Sequence, residues 1–257
     1  MILKYIPITL KKRLYGVRKN LKMRLNRITR KKLSKDSSRI FCLSMQRSGT
    51  TSVGDFFEQF GYPVARNSYS RQNSWGESWF NGDFESIFKS KDFKSFQVFE
   101  DSPWWFTDFY KVLYHRFPNS KFVLFTRDSD SWFKSMVSHS NGQTLGNTKV
   151  HCKVYRREKE YNHKLDTDPS FKPSNKIDNL LTLDGHREHY KEIYDLRNRE
   201  IIDFFNENDS SRLIVCDLRD SNKWKRLGEF FGIEVPADAK YHSHNSLKNK
   251  NDTQSIQ

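Results

Sequence analysis

Residues 39–52 read Arg-Ile-Phe-Cys-Leu-Ser-Met-Gln-Arg-Ser-Gly-Thr-Thr-Ser. A short run rich in β-formers, Ile40 to Leu43, stops at small polar residues. Beyond Gly49, Thr51 to Phe60 places Val53, Phe56, Phe57 and Phe60 on one side of a helix. The expected unit is strand, turn, helix, and such a turn points its free backbone N–H groups and the positive end of the helix dipole at an anion. Gly49 lets the backbone come close, Ser48, Thr50, Thr51 and Ser52 offer hydroxyls, and Arg47 offers a planar fork suited to phosphate or sulfate.

The loop departs from a Walker A sequence. With Gly49 at the second glycine, Ser44 stands at the first, Thr50 at the lysine and Thr51 at the Ser/Thr position. ATP or GTP hydrolysis loses its main cation at Thr50, and a base stands earlier, at Arg47. Arg47-Ser48-Gly49-Thr50-Thr51-Ser52 resembles the 5′-phosphosulfate loop of the sulfotransferases that use 3′-phosphoadenosine 5′-phosphosulfate. Further on, Lys121 to Thr126 reads as a fully buried strand, followed at once by Arg127 and, eight residues later in a helix, by Ser135. Sulfotransferases grip the 3′-phosphate with an Arg and a Ser at this spacing, and a strand-end guanidinium and a hydroxyl about two turns into the next helix can converge on one phosphate. Trp224-x-x-Leu227-x-x-Phe230-Phe231-Gly232, then Val235-Pro236 and His244-Asn245, is similar to the C-terminal end of one bacterial and eukaryotic branch of that family.

The resemblance covers residues 39–245. It implies a three-layer α/β/α domain with a central parallel sheet of the P-loop NTPase-like kind, preceded by an arm (1–38) and followed by a disordered tail (246–257). It further implies that Arg47 to Ser52 cradle the 5′-phosphosulfate, that Arg127 and Ser135 hold the 3′-phosphate, and that Arg47 assists the leaving group. Sulfuryl transfer of this kind needs positioning, charge stabilisation and a base, and calls for no metal. Where many family members carry a catalytic His two residues before a proline, this chain has Asp101-Ser102-Pro103. Asp101 is the candidate base if apolar neighbours such as Trp104 and Trp105 raise its pKa. Its competing role is to cap a helix beginning at Pro103. Glu100 and Glu77 are fallback bases.

Other segments set the context. Of 45 Lys and Arg and 31 Asp and Glu, thirteen basic residues and one acid lie in Met1–Ser38, which leaves 32 against 30 for the rest; the excess charge belongs to the arm. There Leu10, Leu14, Val17, Leu21, Leu25 and Ile28 recur at steps of three and four among Lys and Arg, the pattern of a basic amphipathic helix. Its expected uses are a solvated arm that folds in company, or attachment through residues 1–35 to an anionic membrane surface. No specific nucleic acid is expected, since nothing resembles a base-reading module. Cys42, Cys152 and Cys216 have no framework spacing, and neither a signal-peptide core nor a membrane span is apparent, so a cytoplasmic protein, peripheral on the inner membrane face if the arm docks there, is expected. His186 and His189 read as surface or packing residues, and Asp217, closing a strand Arg212 to Asp217, as a weak Walker B candidate. The stretch 66–82, with Arg66, Arg71, Tyr69, Trp75 and Trp79, reads as a loop that forms either an acceptor wall or, through its tryptophans, part of the core. Helices are expected around Phe84 to Lys89, over Thr148 to Leu165, over Asp184 to Asn208 with Tyr190, Ile193, Tyr194, Ile201, Ile202 and Phe205 on the buried side, and from Trp224 to a stop at Gly232. The sequence leaves open a sugar hydroxyl, including one on a lipid-linked glycan, a lipid headgroup, a phenol or an amine as acceptor. It also leaves open two other classes, a P-loop kinase or NTPase and a non-catalytic protein acting through its arm.

Overall fold

The computed structural model describes residues 38–171 and 180–236; the predicted arm, except Ser38, and the predicted tail lie outside the described residues. Five strands, β1 (Ile40–Cys42), β2 (Val64–Ala65), β3 (Val98–Phe99), β4 (Lys121–Thr126) and β5 (Leu213–Asp217), form one sheet in the order β2-β3-β1-β4-β5, every neighbouring pair parallel. The β1 register sets Ile40 to Cys42 against Lys121 to Val123 on β4.

Alternation along the strands sorts the core into two layers. Phe122 and Leu124 point to one face, with Phe41, Leu43 and Phe99; Val123 and Phe125 point to the other, with Ile40 and Cys42. The second face is covered by α1 (Thr50–Gln59), through Val53, Phe56 and Phe57, and by α10 (Lys223–Phe231), through Leu227. The first is covered by α2 (Asn67–Gln72), α3 (Trp75–Phe80), α4 (Phe84–Lys89), α5 (Phe109–Arg116), α6 (Ser129–Ser140), α7 (Thr148–Val154) and α9 (Arg187–Asn208), while α8 (Glu158–Thr167) packs beyond α7. The result is the expected three-layer α/β/α sandwich.

Three expectations require correction. The stretch 66–82 is two short helices rather than a loop, and of its two expected uses the packing one holds for Tyr69, Trp75 and Trp79, core side chains at most 7% exposed. The helical run expected over Thr148 to Leu165 is broken at Arg156, which adopts a left-handed φ of 55° between α7 and α8. No helix begins at Pro103: residues 103–106 form a turn closed by Phe106 N–H donating to Pro103 O at 2.8 Å, and α5 starts only at Phe109.

From β1 the chain leaves toward β2, whereas from β4 it leaves toward β5, on the opposite side. Ligands of open parallel sheets bind beyond the carboxyl ends of the strands at such a reversal, here between β1 and β4.

Candidate active site

The loop from Leu43 to Gly49 occupies that reversal. Leu43 N–H still bonds β4, to Val123 O at 2.8 Å, after which Ser44 Oγ accepts the Phe125 N–H at 2.7 Å and fixes the loop's departure from the sheet. The turn requires left-handed backbone at Arg47 (φ 68°) and Gly49 (φ 85°). A Cβ on Gly49 would stand 2.7 Å from Leu218 Cδ1, so glycine is demanded by both conformation and space. Val53 N–H makes the bond to Gly49 O at 3.0 Å that opens the α1 ladder, which leaves the Thr50 and Thr51 amides outside it, at the positive end of the helix.

Arg47, Arg127 and Ser135 are brought together. Arg47 Nε donates to Ser135 Oγ at 3.2 Å, and Arg127 Nη1 donates to Arg47 O at 3.2 Å. Burial lowers the pKa of both guanidinium groups, and Arg127 lowers that of Arg47 further by like charge. Of the hydroxyls, Ser48, Thr50 and Ser52 are buried and Thr51 is half-buried. Ser48 Oγ shares a 3.1 Å hydrogen bond with the Tyr194 hydroxyl, which also accepts the Arg127 N–H at 3.0 Å.

Tyr194 therefore ties the loop to the end of β4 from α9, a role absent from the sequence reading, which placed this residue only on the helix's buried face. Its ring stacks on Trp132 at 4.4 Å, and Trp132 Nε1 donates to Gln46 O at 2.9 Å. Gln46 Nε2 in turn donates to the Tyr155 hydroxyl at 3.0 Å. Beneath these, Arg197 on α9 is 5% exposed and donates through Nη1 to Leu43 O at 3.2 Å; burial drops its pKa to about 10. The signal in the sequence was spacing: 190, 194, 197, 198, 201 and 205 form one helical stripe whatever the polarity of its members.

Asp101 lies at the end of β3, across the reversal. It is half-buried, with φ 69°, and its Oδ1 accepts the Ser102 N–H at 2.8 Å. With no helix at Pro103, the capping role has nothing to cap. Burial raises the Asp101 pKa, opposed by the Ser102 amide, the Trp105 indole and the charges of Arg71 and Arg47.

Glu100 points the other way, under α1, and is 3% exposed. Burial and the neighbouring Asp101 push its pKa up to about 8 against the pull of Arg66, whose Nη1 stands 4.0 Å away. Arg66 also donates to Thr51 O at 3.1 Å, Asp55 at 2.8 Å and Glu58 at 2.7 Å, bracing the first turns of α1 against the strand end that bears Glu100. Gly54 makes room for it, since a Cβ there would fall 2.4 Å from Arg66 Nη1. Glu77 sits exposed on the surface of α3.

The remaining candidates have structural partners. Asp217 accepts the Arg219 N–H at 2.7 Å and pairs with its guanidinium at 3.3 Å. His189 bonds Tyr155 O through Nε2 at 2.7 Å, and His186 faces Arg157 at 3.1 Å. Among the described residues no cluster of His, Cys, Asp and Glu could hold a metal ion, and no helix is long and apolar enough to cross a membrane.

A family model described as "Sulfotransferase domain" matches residues 39–249. No curated protein matches the chain. A solved structure titled "Sulfotransferase Domain from the Curacin Biosynthetic Pathway" is 13% identical, with a TM-score of 0.38, over 80% of this chain and 77% of that one.

Proposed function

The chain belongs to the sulfotransferase domain family, and we propose that it transfers the sulfuryl group of 3′-phosphoadenosine 5′-phosphosulfate to a hydroxyl or amine of its acceptor. The observation that carries this reading is the convergence of Arg47, Arg127 and Ser135 at the amino end of α1, two half-buried cations held within one hydrogen-bonded cluster. Such a donor set fits a ligand with separated anionic groups. When bound, that nucleotide supplies the sulfuryl group and a phosphate to which the bond electrons depart.

In this reading Arg127 and Ser135 hold the 3′-phosphate. Arg47, the hydroxyls of Ser48 to Ser52 and the unused amides of Thr50 and Thr51 hold the 5′ end. Arg47 offsets the negative charge that builds on the leaving oxygen, in a partly desolvated place where a fixed cation acts strongly. Asp101, its pKa raised by burial, accepts the acceptor's proton as the new O–S or N–S bond forms. Tyr194, Trp132 and Arg197 hold the loop in shape before the ligand arrives, so little reorganisation is needed at the moment of reaction.

The test is a thermal shift in EDTA with 3′-phosphoadenosine 5′-phosphate against ATP. Ligand at a hundred times its Kd stabilises the fold by about 2.7 kcal/mol. A shift with the bisphosphate and none with ATP is expected; a shift that requires ATP and magnesium would instead favour a P-loop kinase. We also propose that residues 1–35 bring the enzyme to an anionic membrane face on the cytoplasmic side. Sedimentation with phosphatidylserine vesicles, lost on deleting those residues, is the expected result, and equal sedimentation of both proteins would refute it.

A further inference from the structure

Helix α2 lies against the strand end that carries Asp101. Ser102 Oγ donates to Asn67 Oδ1 at 3.3 Å, and Arg71, four residues after Asn67, projects from the same face of α2. Arg71 is exposed, and among the described residues no hydrogen bond or ion pair engages its guanidinium. Neighbouring cations are committed: Arg66 to Thr51, Asp55 and Glu58, and Lys153 to Phe80 O at 3.1 Å and to the faces of Trp79 and Phe80. One uncommitted guanidinium thus projects from the helix that packs on the strand end bearing the proposed base.

Taken alone, this placement opposes the chemistry. The charge of Arg71 holds the Asp101 pKa down, against the burial that raises it, and so weakens the base. A cation so placed becomes useful if something discharges it when the reaction is due.

We propose that the acceptor carries its own anion, a carboxylate or a phosphate ester close to the group to be sulfated, and that Arg71 pairs with it. This rests on the sulfuryl-transfer reading above and names its substrate class. Pairing does two things at once: it orients the acceptor by a charge-assisted, bidentate contact, and it lifts the field of Arg71 from Asp101. The base then reaches full strength only with an acceptor in place, and a neutral acceptor gains neither effect.

The experiment uses the full chain saturated with 3′-phosphoadenosine 5′-phosphate and reads binding by calorimetry. The probes are glucuronate, glucose 6-phosphate and glucose, and the pair 4-hydroxybenzoate and 4-hydroxybenzamide, so that the carboxylate and phosphate arms are separated. At least about tenfold tighter binding of a charged probe than its neutral counterpart is expected, abolished in Arg71→Gln and partly kept in Arg71→Lys. Nucleotide affinity is expected to be the same in all three proteins. Charged and neutral probes binding alike, or none binding, overturns the proposal; so does a preference that survives Arg71→Gln, or a loss of nucleotide affinity in that variant. Failure of the underlying reading shows separately, as an unmodified protein that does not bind the bisphosphate at all, and that result removes both.

Discussion

Replacing Glu100 by Gln removes one titratable proton while nearly preserving the shape of the side chain. Glu100 is 3% exposed, its Oε2 has no hydrogen-bond partner among the described residues, and its cation, Arg66, stands 4.0 Å off. The folded pKa of about 8 compares with about 4.3 for glutamate in an unfolded chain. Between those values the folded protein keeps a proton that the unfolded chain has released, so stability falls as pH rises, by at most about 1.4 kcal/mol per pH unit. The upper bound by pH 8 is about 5 kcal/mol; local relaxation and the shared titration with Asp101 bring the expected loss to roughly 2–4 kcal/mol. Gln is neutral throughout. Glu100→Gln should therefore match the parent within about 1 kcal/mol near pH 5 and exceed its stability by roughly 2–4 kcal/mol at pH 8.5, where the parent carries a buried, poorly paired carboxylate. Urea unfolding followed by tryptophan fluorescence from pH 5 to 9 measures this directly. A stability difference between the two proteins that stays constant across that range would refute the reasoning.

Three further substitutions bear on the site. Arg127→Ala should weaken binding of 3′-phosphoadenosine 5′-phosphate roughly 10- to 150-fold, the worth of one charge-assisted contact, by calorimetry; unchanged affinity would remove Arg127 from the nucleotide site. Asp101→Asn should lower turnover by about 10²- to 10⁴-fold with nucleotide affinity intact, whereas a fall in melting temperature with turnover preserved would make the residue structural. Tyr194→Phe removes the hydroxyl that joins Ser48 to the Arg127 N–H and should cost about 1–3 kcal/mol in urea unfolding, with weaker nucleotide binding; no change in either measurement would show that the bridge contributes nothing.

The parts of the fold legible in the sequence are those where one local rule decides. Lys121 to Thr126 is apolar on both faces because both faces of β4 are covered, and α4 (Phe84–Lys89) and the Gly232 stop of α10 follow from capping and periodicity. The strand, turn and helix over residues 40–59 were legible because a short run of β-formers stops at small polar residues and a glycine before a helical stripe begins. What escaped was the tertiary use of polar residues. Arg197 is buried on α9 although its chemistry suggests solvent, and there it satisfies Leu43 O where the chain leaves the sheet. Arg66 looked like part of a polar loop, yet it reaches over Gly54 to brace α1, a contact between residues that only the β1-β3-β2 arrangement brings together. The aromatic stretch 66–82 left packing and an acceptor wall both open in the sequence, and the contacts of Trp75 with Phe99 and Trp104 decide for packing there.

The absence of a Walker lysine then acquires a physical meaning. Arg47 and Arg127 share a hydrogen-bonded cluster, and burial lowers the pKa of each without bringing either near deprotonation at neutral pH. Their repulsion is carried in the folded state, offset in part by the charge of Asp101 on Arg47. A lysine at position 50 would add a third cation at the helix end, suited to a run of contiguous phosphates; two arginines on separate strand ends instead favour a ligand whose anionic groups are themselves apart. On the proposed donor, removal of the 3′-phosphate would leave Arg127 beside Arg47 uncompensated, so a nucleotide with only a 5′ anion pays for its binding in unrelieved repulsion. Discrimination between 3′-phosphorylated and plain adenine nucleotides can thus come from the protein's own charge pair, with no need for a group that reads the ribose itself.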